Sequence, residues 1–169
     1  MKKLYLIRHA KSSWDDPDLS DFDRPLNDRG KRDAPRMARR LKEKRLTPDI
    51  VLTSPARRAK DTCHIFCKGL GFIKSKIEEK PGLYHASDDQ ILKVIHTLKD
   101  RTGDDEENVL IFGHNPGLTE FANRLSNENL DNIPTAGVVC ISLSANKWKH
   151  IEWGSGKLVF FDFPKKRVD

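Results

Sequence analysis

Two histidines and several arginines stand where this chain changes from apolar to polar. Arg8-His9 closes the apolar run Leu4 to Ile7, Ser54 with Arg57-Arg58 follows Asp49 to Thr53, and Gly113-His114 closes Asn108 to Phe112. A neutral imidazole nitrogen attacks phosphorus when a hydrogen bond at the other ring nitrogen, often to a backbone carbonyl, fixes the tautomer. A phosphoryl group in transfer spreads negative charge over its equatorial oxygens, which forked guanidinium groups meet better than ammonium groups do. His9 is therefore the candidate nucleophile, Arg8 with either Arg57 or Arg58 the candidate phosphate ligands, and His114 a further donor.

Other phosphate chemistries fail on spacing. Gly154-Ser155-Gly156-Lys157 has Ile151 where a Walker loop needs its first glycine and Leu158 after the lysine, and Val159 takes the third glycine position of a dinucleotide fingerprint. The positions six beyond Cys63, Cys67 and Cys140 hold Gly69, Ile73 and Asn146, so none has the arginine of a cysteine phosphatase loop. An aspartate nucleophile would stand at the end of the first strand, where His9 is found. Asp16, Asp18, Asp21 and Asp23 lie in one loop, unsupported by acids at the other strand ends, so neither a metal site nor a cofactor is expected.

The elements that must position these residues follow from periodicity. Leu4–Ile7, Asp49–Thr53 and Asn108–Phe112 are short apolar runs suited to buried strands. Residues 11 to 30 read as a long loop, of a length usually kept for function. Ala34, Met37, Ala38 and Leu41 mark a helix from about Lys31 to Arg45 with a basic outer face and Pro35 in an uncertain first turn. Ser54-Pro55 is expected to open a helix to about Leu70, Ser87-Asp88-Asp89-Gln90 a capping-box helix bearing Ile91, Ile95 and Leu98, and Asn115-Pro116 a helix bearing Leu118, Phe121, Ala122 and Leu125. Val138–Leu143, Trp148–Trp153 and Leu158–Phe163 read as two or three strands, in hairpins or not. Strands alternating with helices predict an α/β domain, a three-layer α/β/α sandwich around a mostly parallel sheet, whose strand ends form the ligand-binding edge.

The chain has 169 residues, 31 Lys plus Arg against 25 Asp plus Glu, and a net charge of +6. That length predicts a single domain over 1–169, with 163–169 as a solvated tail. A hydrophobic share of 37% with eight Phe and three Trp is enough for a core and excludes wholesale disorder. No apolar run approaches a membrane span, and Met1 to Arg8 is charged again too soon for a signal-peptide core, so a cytoplasmic address is expected. Cys63 and Cys67 share a stripe with Ala59, Phe66 and Leu70 and are expected as buried hydrophobes; His64, His96 and His150 are expected at solvated surface. The positive charge fits an anionic partner in general, but exposed aromatics interleaved for nucleic acid are lacking.

Together, Leu6-Ile7-Arg8-His9-Ala10, the run from Ser54-Pro55 through Arg58 and Ala59 to Thr62, and Gly113-His114-Asn115-Pro116 resemble the histidine phosphatase superfamily. The loop motif Asp23-Arg24-Pro25-Leu26-Asn27 to Gly30 and the short length are similar to its SixA-type phosphohistidine phosphatase branch. The resemblance covers about residues 3 to 145 and implies a phosphoglycerate mutase-like fold. It implies His9 as phosphate-accepting nucleophile, Arg8 as the adjacent phosphate-binding arginine and His114 as the second histidine. The offset from Ser54 aligns the second arginine with Arg58 rather than Arg57. Arg24 matches a motif position that lines the pocket or ties the loop through Asp21 or Asp23. Arg57 and Lys11 remain further substrate-binding candidates.

Ala10 stands where the superfamily usually has glycine, and no acid between residues 80 and 90 matches the family's proton donor. Tyr84 and His85 are expected to pack in the core or at the rim, with a place over the pocket as the alternative, and the proton donor is left open as Tyr84, His85 or none. The implied activity is a metal-independent phosphohydrolase acting on phosphohistidine in a protein. A small-molecule phosphomonoesterase and a catalytically weak phosphate-recognition module are the alternatives, and neither nucleic acid nor membrane is expected as a partner.

Overall fold

The computed structural model describes residues 1–101 and 105–166. Its main elements are β1 (Lys2–Arg8), α1 (Asp28–Glu43), β2 (Ile50–Thr53), α2 (Arg57–Leu70), β3 (Glu78–Glu79), α3 (Asp88–His96), β4 (Glu107–Gly113), α4 (Gly117–Ser126), β5 (Val138–Leu143) and β6 (Gly156–Asp162). The strands form one sheet in the order β3-β2-β4-β1-β5-β6. Neighbours from β3 to β1 are parallel, and β5 is antiparallel to both β1 and β6, so β5 alone runs against the rest.

The central strands are apolar on both faces because both faces are covered. Leu4 and Leu6 of β1 and Val109 and Ile111 of β4 join one core with Ile91 and Ile95 of α3 and Leu118 and Phe121 of α4. Tyr5, Ile7, Leu110 and Phe112 join the other with Met37 and Leu41 of α1 and Cys63 and Phe66 of α2. Each such side chain fully withdrawn from water contributes about 1.5–3 kcal/mol. The result is the three-layer sandwich the alternation predicts, and all three cysteines lie free within it, buried.

Several boundaries differ from the sequence reading. Asn27 caps α1 by accepting from the Gly30 amide at 2.9 Å, so the helix starts at Asp28 and holds Pro35 in its interior. There the missing proline N–H falls on an exposed face. α2 begins at Arg57, because Ser54 is used in a turn, its Oγ accepting from the Ala56 amide at 3.2 Å. α3 has both halves of its capping box.

Trp148–Trp153 is not a strand. β6 already occupies the edge beside β5, and the segment forms a 3-10 turn over Trp148–His150. Trp148 acts as a buried wedge whose Nε1 donates to Glu107 at 2.5 Å. His96, expected in solvent, donates from Nε2 to the Ile151 carbonyl at 2.8 Å and ties that turn to α3.

The expected solvated tail is held where it is described. Arg40 donates to the carbonyls of Phe163 and Pro164, and residues 167–169 lie outside the described residues. No helix among the described residues is long and apolar enough to cross a membrane.

Candidate active site

Three adjacent parallel strands end level with one another. Arg8 of β1 pairs with Gly113 of β4, and Thr53 of β2 pairs with Phe112 of the same strand. The next residue on each strand, His9, His114 and Ser54, therefore emerges at one edge of the sheet. The ladder extends one step to fix them: the His9 amide donates to the Gly113 carbonyl at 3.1 Å, and the Ser54 amide to the Phe112 carbonyl at 2.9 Å.

His9 and His114 are buried, with ring centroids 5.3 Å apart. His9 Nδ1 lies 2.8 Å from the Ala10 carbonyl, an acceptor, so Nδ1 carries the hydrogen and Nε2 keeps its lone pair. Ala10 is itself anchored: its amide donates to Thr62 Oγ1 at 2.9 Å, and that hydroxyl donates to the Arg58 carbonyl at 2.7 Å. Burial pushes the His9 imidazole down to about 3, and the charges of Arg58, Arg8 and Arg24 add to the effect although the Ala10 bond opposes it. His114 is likewise pushed down to about 3, by burial first and then by His9 and Arg58. Its Nε2 meets Ser54 Oγ at 2.7 Å, while Nδ1 is buried without a partner.

Arg58 is 2% exposed and projects from the first turn of α2. Arg8 is anchored through one terminal nitrogen to the Ile133 carbonyl at 3.0 Å. Burial lowers the pKa of Arg8, and the positive charge of Arg58 lowers it further. Arg24 stacks on Trp14, its guanidinium carbon 3.4 Å from the ring centroid, and pairs with Asp21 at 3.3 Å. The Nε atoms of Arg8, Arg24 and Arg58 are buried without partners.

Arg57, by contrast, is about half exposed and lies 3.7 Å from Asp61 along the outer face of α2. Lys11 is exposed, and its backbone rather than its side chain is engaged, the carbonyl accepting from the Asn27 amide at 3.0 Å. Four sequence-designated residues, His9, Arg8, Arg58 and His114, are thus brought together with Arg24 beside them, while Arg57 and Lys11 are not.

The long loop closes over this group as an arch. Ser12 pairs with Leu26, the Ser13 amide donates to the Pro25 carbonyl at 2.8 Å, and the base of the arch rests on α1. Only glycine fits at position 30, since a Cβ there would lie 2.2 Å from the Lys11 carbonyl oxygen. At the tip, a 3-10 turn over Asp21–Asp23 presents Asp21 to the pocket.

Asp21, expected as one of two possible loop partners of Arg24 and found paired with it, is also a pocket residue, and that role sequence reasoning missed. Its Oδ2 accepts from Tyr84 Oη at 2.6 Å and Arg58 Nη2 at 3.0 Å and lies 3.0 Å from His85 Nε2; Arg58 Nη1 also donates to its backbone carbonyl at 2.7 Å. Partial burial works the other way, yet the bonds from Tyr84 and His85 and the Arg58 charge hold the Asp21 carboxyl well below the usual carboxylate range. Its only trace in the sequence is the three-residue spacing to Arg24, which five loop aspartates obscure.

The family model described as histidine phosphatase superfamily (branch 1) matches residues 4–87, a span that holds Arg8, His9, Arg24 and Arg58. An uncharacterised protein of Mycobacterium leprae is 30% identical over 171 residues, covering 94% of this chain and 100% of that protein. An uncharacterised chloroplastic protein of Arabidopsis thaliana is 30% identical over 152 residues, 88% of this chain and 69% of its own length. The chain belongs to the histidine phosphatase superfamily. Among solved structures, the SixA protein of Agrobacterium tumefaciens superposes with a TM-score of 0.79 at 26% identity, covering 96% of this chain and 97% of that one. The protein histidine phosphatase SixA complexed with tungstate shares the fold, with a TM-score of 0.78 at 22% identity over 96% of this chain and 97% of that one. Within the superfamily this chain is a phosphatase of SixA type.

Proposed function

We propose that this phosphatase removes the phosphoryl group from phosphohistidine on a protein, by way of a phosphohistidine formed on its own His9 and without a metal ion. The observation that carries the reading is the neutral His9 imidazole, locked by the Ala10 carbonyl with Nε2 free, beside three arginines. Nε2 attacks phosphorus in line; the imidazolium that develops is stabilised at Nδ1 by the carbonyl it already donates to. Arg8 and Arg58 meet the equatorial oxygens, where fixed cationic donors act most strongly on the charge of the transition state. Ser54 Oγ accepts from Ala56 and has its own hydrogen free for His114 Nε2. His114 then carries its hydrogen on Nδ1, the unpartnered atom, as a neutral donor to a third oxygen. Water releases phosphate in the second half.

Arg24 is assigned to the pocket wall, where its charge acts on His9. Metal independence is supported by the donor set: among the described residues no three His, Cys, Asp or Glu side chains are grouped to hold an ion. The likeness to SixA proteins supports phosphohistidine as the substrate.

The test is turnover of a phosphohistidine-bearing protein beside phosphoserine and phosphotyrosine peptides and sugar phosphates, with and without chelator. The expected result is preference for the phosphoramidate, indifference to chelator, and acid-labile label on the wild-type chain that His9→Ala abolishes. Turnover by His9→Ala of any of these substrates would refute the mechanism. A preference for sugar phosphates would move the assignment to small phosphoesters.

A further inference from the structure

We propose that His85 is the proton donor to the leaving group, an inference that rests on the reading above. Beyond His114 the pocket mouth is lined by Asp21, Tyr84 and His85, with the Tyr84 and His85 rings 5.5 and 5.4 Å from that of His114. Asp21 Oδ2 ties this mouth to the phosphate-binding arginine, lying 2.6 Å from Tyr84 Oη, 3.0 Å from His85 Nε2 and 3.0 Å from Arg58 Nη2.

Of these three, two have no proton to give. Asp21 is a carboxylate that accepts from Arg24, Arg58 and Tyr84. The single Tyr84 hydroxyl hydrogen is committed to Asp21 Oδ2 at 2.6 Å. His85 differs: Nε2 faces the same oxygen at 3.0 Å, Nδ1 has no hydrogen-bond partner among the described residues, and the side chain is 55% exposed.

The backbone is arranged to put the ring there. His85 has φ +49, in the left-handed region that costs a residue with a Cβ about 1–2 kcal/mol. Tyr84 lies against the imidazole with centroids 4.2 Å apart. The turn cannot relax inward, because Leu83 and Ala86 on either side are buried and the Ala86 carbonyl abuts Gly117 of α4. Strain of this kind in a non-glycine residue persists where its surroundings hold it in place, and such residues cluster at functional sites.

In the step proposed, His85 carries hydrogen on both ring nitrogens, with Asp21 as counter-charge at Nε2. The bond from phosphorus to the leaving atom breaks as the bond from His9 Nε2 forms, and the departing atom takes the Nδ1 hydrogen. Neutral His85 then takes a proton from the water that attacks phosphorus, as the bond to His9 Nε2 breaks and phosphate leaves.

The test compares His85→Asn with wild type on 4-nitrophenyl phosphate, whose leaving group departs without a proton, and on phenyl phosphate, whose leaving group needs one. Asparagine is among the residues that best tolerate positive φ, and His85→Gln provides a second variant. The expected loss in kcat is 100-fold or more on phenyl phosphate, in line with general acid catalysis, against less than about 5-fold on the nitrophenyl ester. A merely structural role lowers both rates alike, so equal losses, or no loss, in a folded variant would overturn the assignment. The underlying reading fails separately: if wild type acquires no acid-labile label on His9, the phosphohistidine route goes and His85 goes with it.

Discussion

Replacing Thr62 with valine should weaken both the fold and the chemistry, although Thr62 touches no substrate in the proposed cycle. Its side chain is fully buried in α2 and makes two hydrogen bonds, accepting from the Ala10 amide and donating to the Arg58 carbonyl. Valine keeps the branched shape and removes both. The Ala10 amide would be orphaned beside two fully buried residues, which costs about 1–3 kcal/mol, and the lost donation adds about 1 kcal/mol. A total of about 2–4 kcal/mol corresponds to a fall in Tm of roughly 4–16 °C for a chain of this length. Ala10 is held on one side by Thr62 and on the other offers the carbonyl that fixes the His9 tautomer, so kcat should drop about 10- to 100-fold, as expected for misplacement of a reacting group by up to an ångström. Urea unfolding and steady-state turnover measure the two effects, with Thr62→Ser as the control that restores the hydroxyl. A valine variant within about 0.5 kcal/mol of wild type and equally active would refute the anchoring argument.

Three further outcomes are expected. Arg58→Ala should reduce kcat/KM by about 100-fold or more, while Arg57→Ala, at an exposed site beside Asp61, should stay within about threefold; a larger loss for Arg57→Ala would reverse the assignment of the two. Stability should depend on pH through His9 and His114, whose folded values near 3 lie below the ordinary 6.5. Above 6.5 both are neutral whether folded or unfolded and their contribution is full and flat. Below it only the unfolded chain binds the protons, and stability falls by about 1.4 kcal/mol per pH unit for each histidine. Urea midpoints at pH 5 and 7 check this, and His114→Asn should lose one share of the slope. Gly117→Ala would set a Cβ 1.9 Å from the Ala86 carbonyl oxygen, so a loss of about 1–3 kcal/mol in thermal melts is expected.

The sheet and the strand-end residues were legible because each lies within or just beyond a contiguous apolar run. Runs buried on both faces announce central parallel strands, and the residue after the last paired position must emerge at the ligand edge. That is enough to bring Arg8, His9, Ser54 and His114 together. Arg58 and Arg57 were harder to separate, since both precede the apolar stripe of α2. Burial decides between them only once the arch of the long loop is in place, because it is Asp21 that accepts from Arg58. Asp21 as a pocket residue was illegible for the same reason: Ser12–Leu26 pairing and a 3-10 turn aim it, and neither has a periodic signature. Trp148 misled in the opposite direction. Its alternation with His150 has the period of a strand, but the sheet edge beside β5 is filled by β6, and the indole finds its partner in Glu107 instead.

In the proposed cycle, charge at the pocket explains why a histidine would serve as the nucleophile where the chain's overall +6 does not. Among the described residues Arg24 and Arg58 share one ionised carboxylate, Asp21, and Arg8 is bonded to a carbonyl instead, so the pocket holds positive charge in excess even with both histidines neutral. The excess attracts a phosphoryl group, and burial, with the same cations adding to it, opposes protonation of His9 and leaves Nε2 free to attack at neutral pH. A lysine at position 9 would need to lose its proton to attack, at a site that would first have to admit another cation. An aspartate there would arrive charged and pair with the arginines that the substrate needs. Imidazole alone enters neutral, attacks, and becomes positive only after the phosphoryl group has brought in compensating negative charge. Substrate binding and nucleophile activation are therefore tied to one arrangement of charges: removing an arginine weakens the hold on phosphate and at the same time eases protonation of His9. Arg58→Ala should consequently raise KM and shift the acidic limb of kcat/KM toward neutral pH. A variant that changes KM with an unmoved pH profile would separate the two effects and count against this coupling.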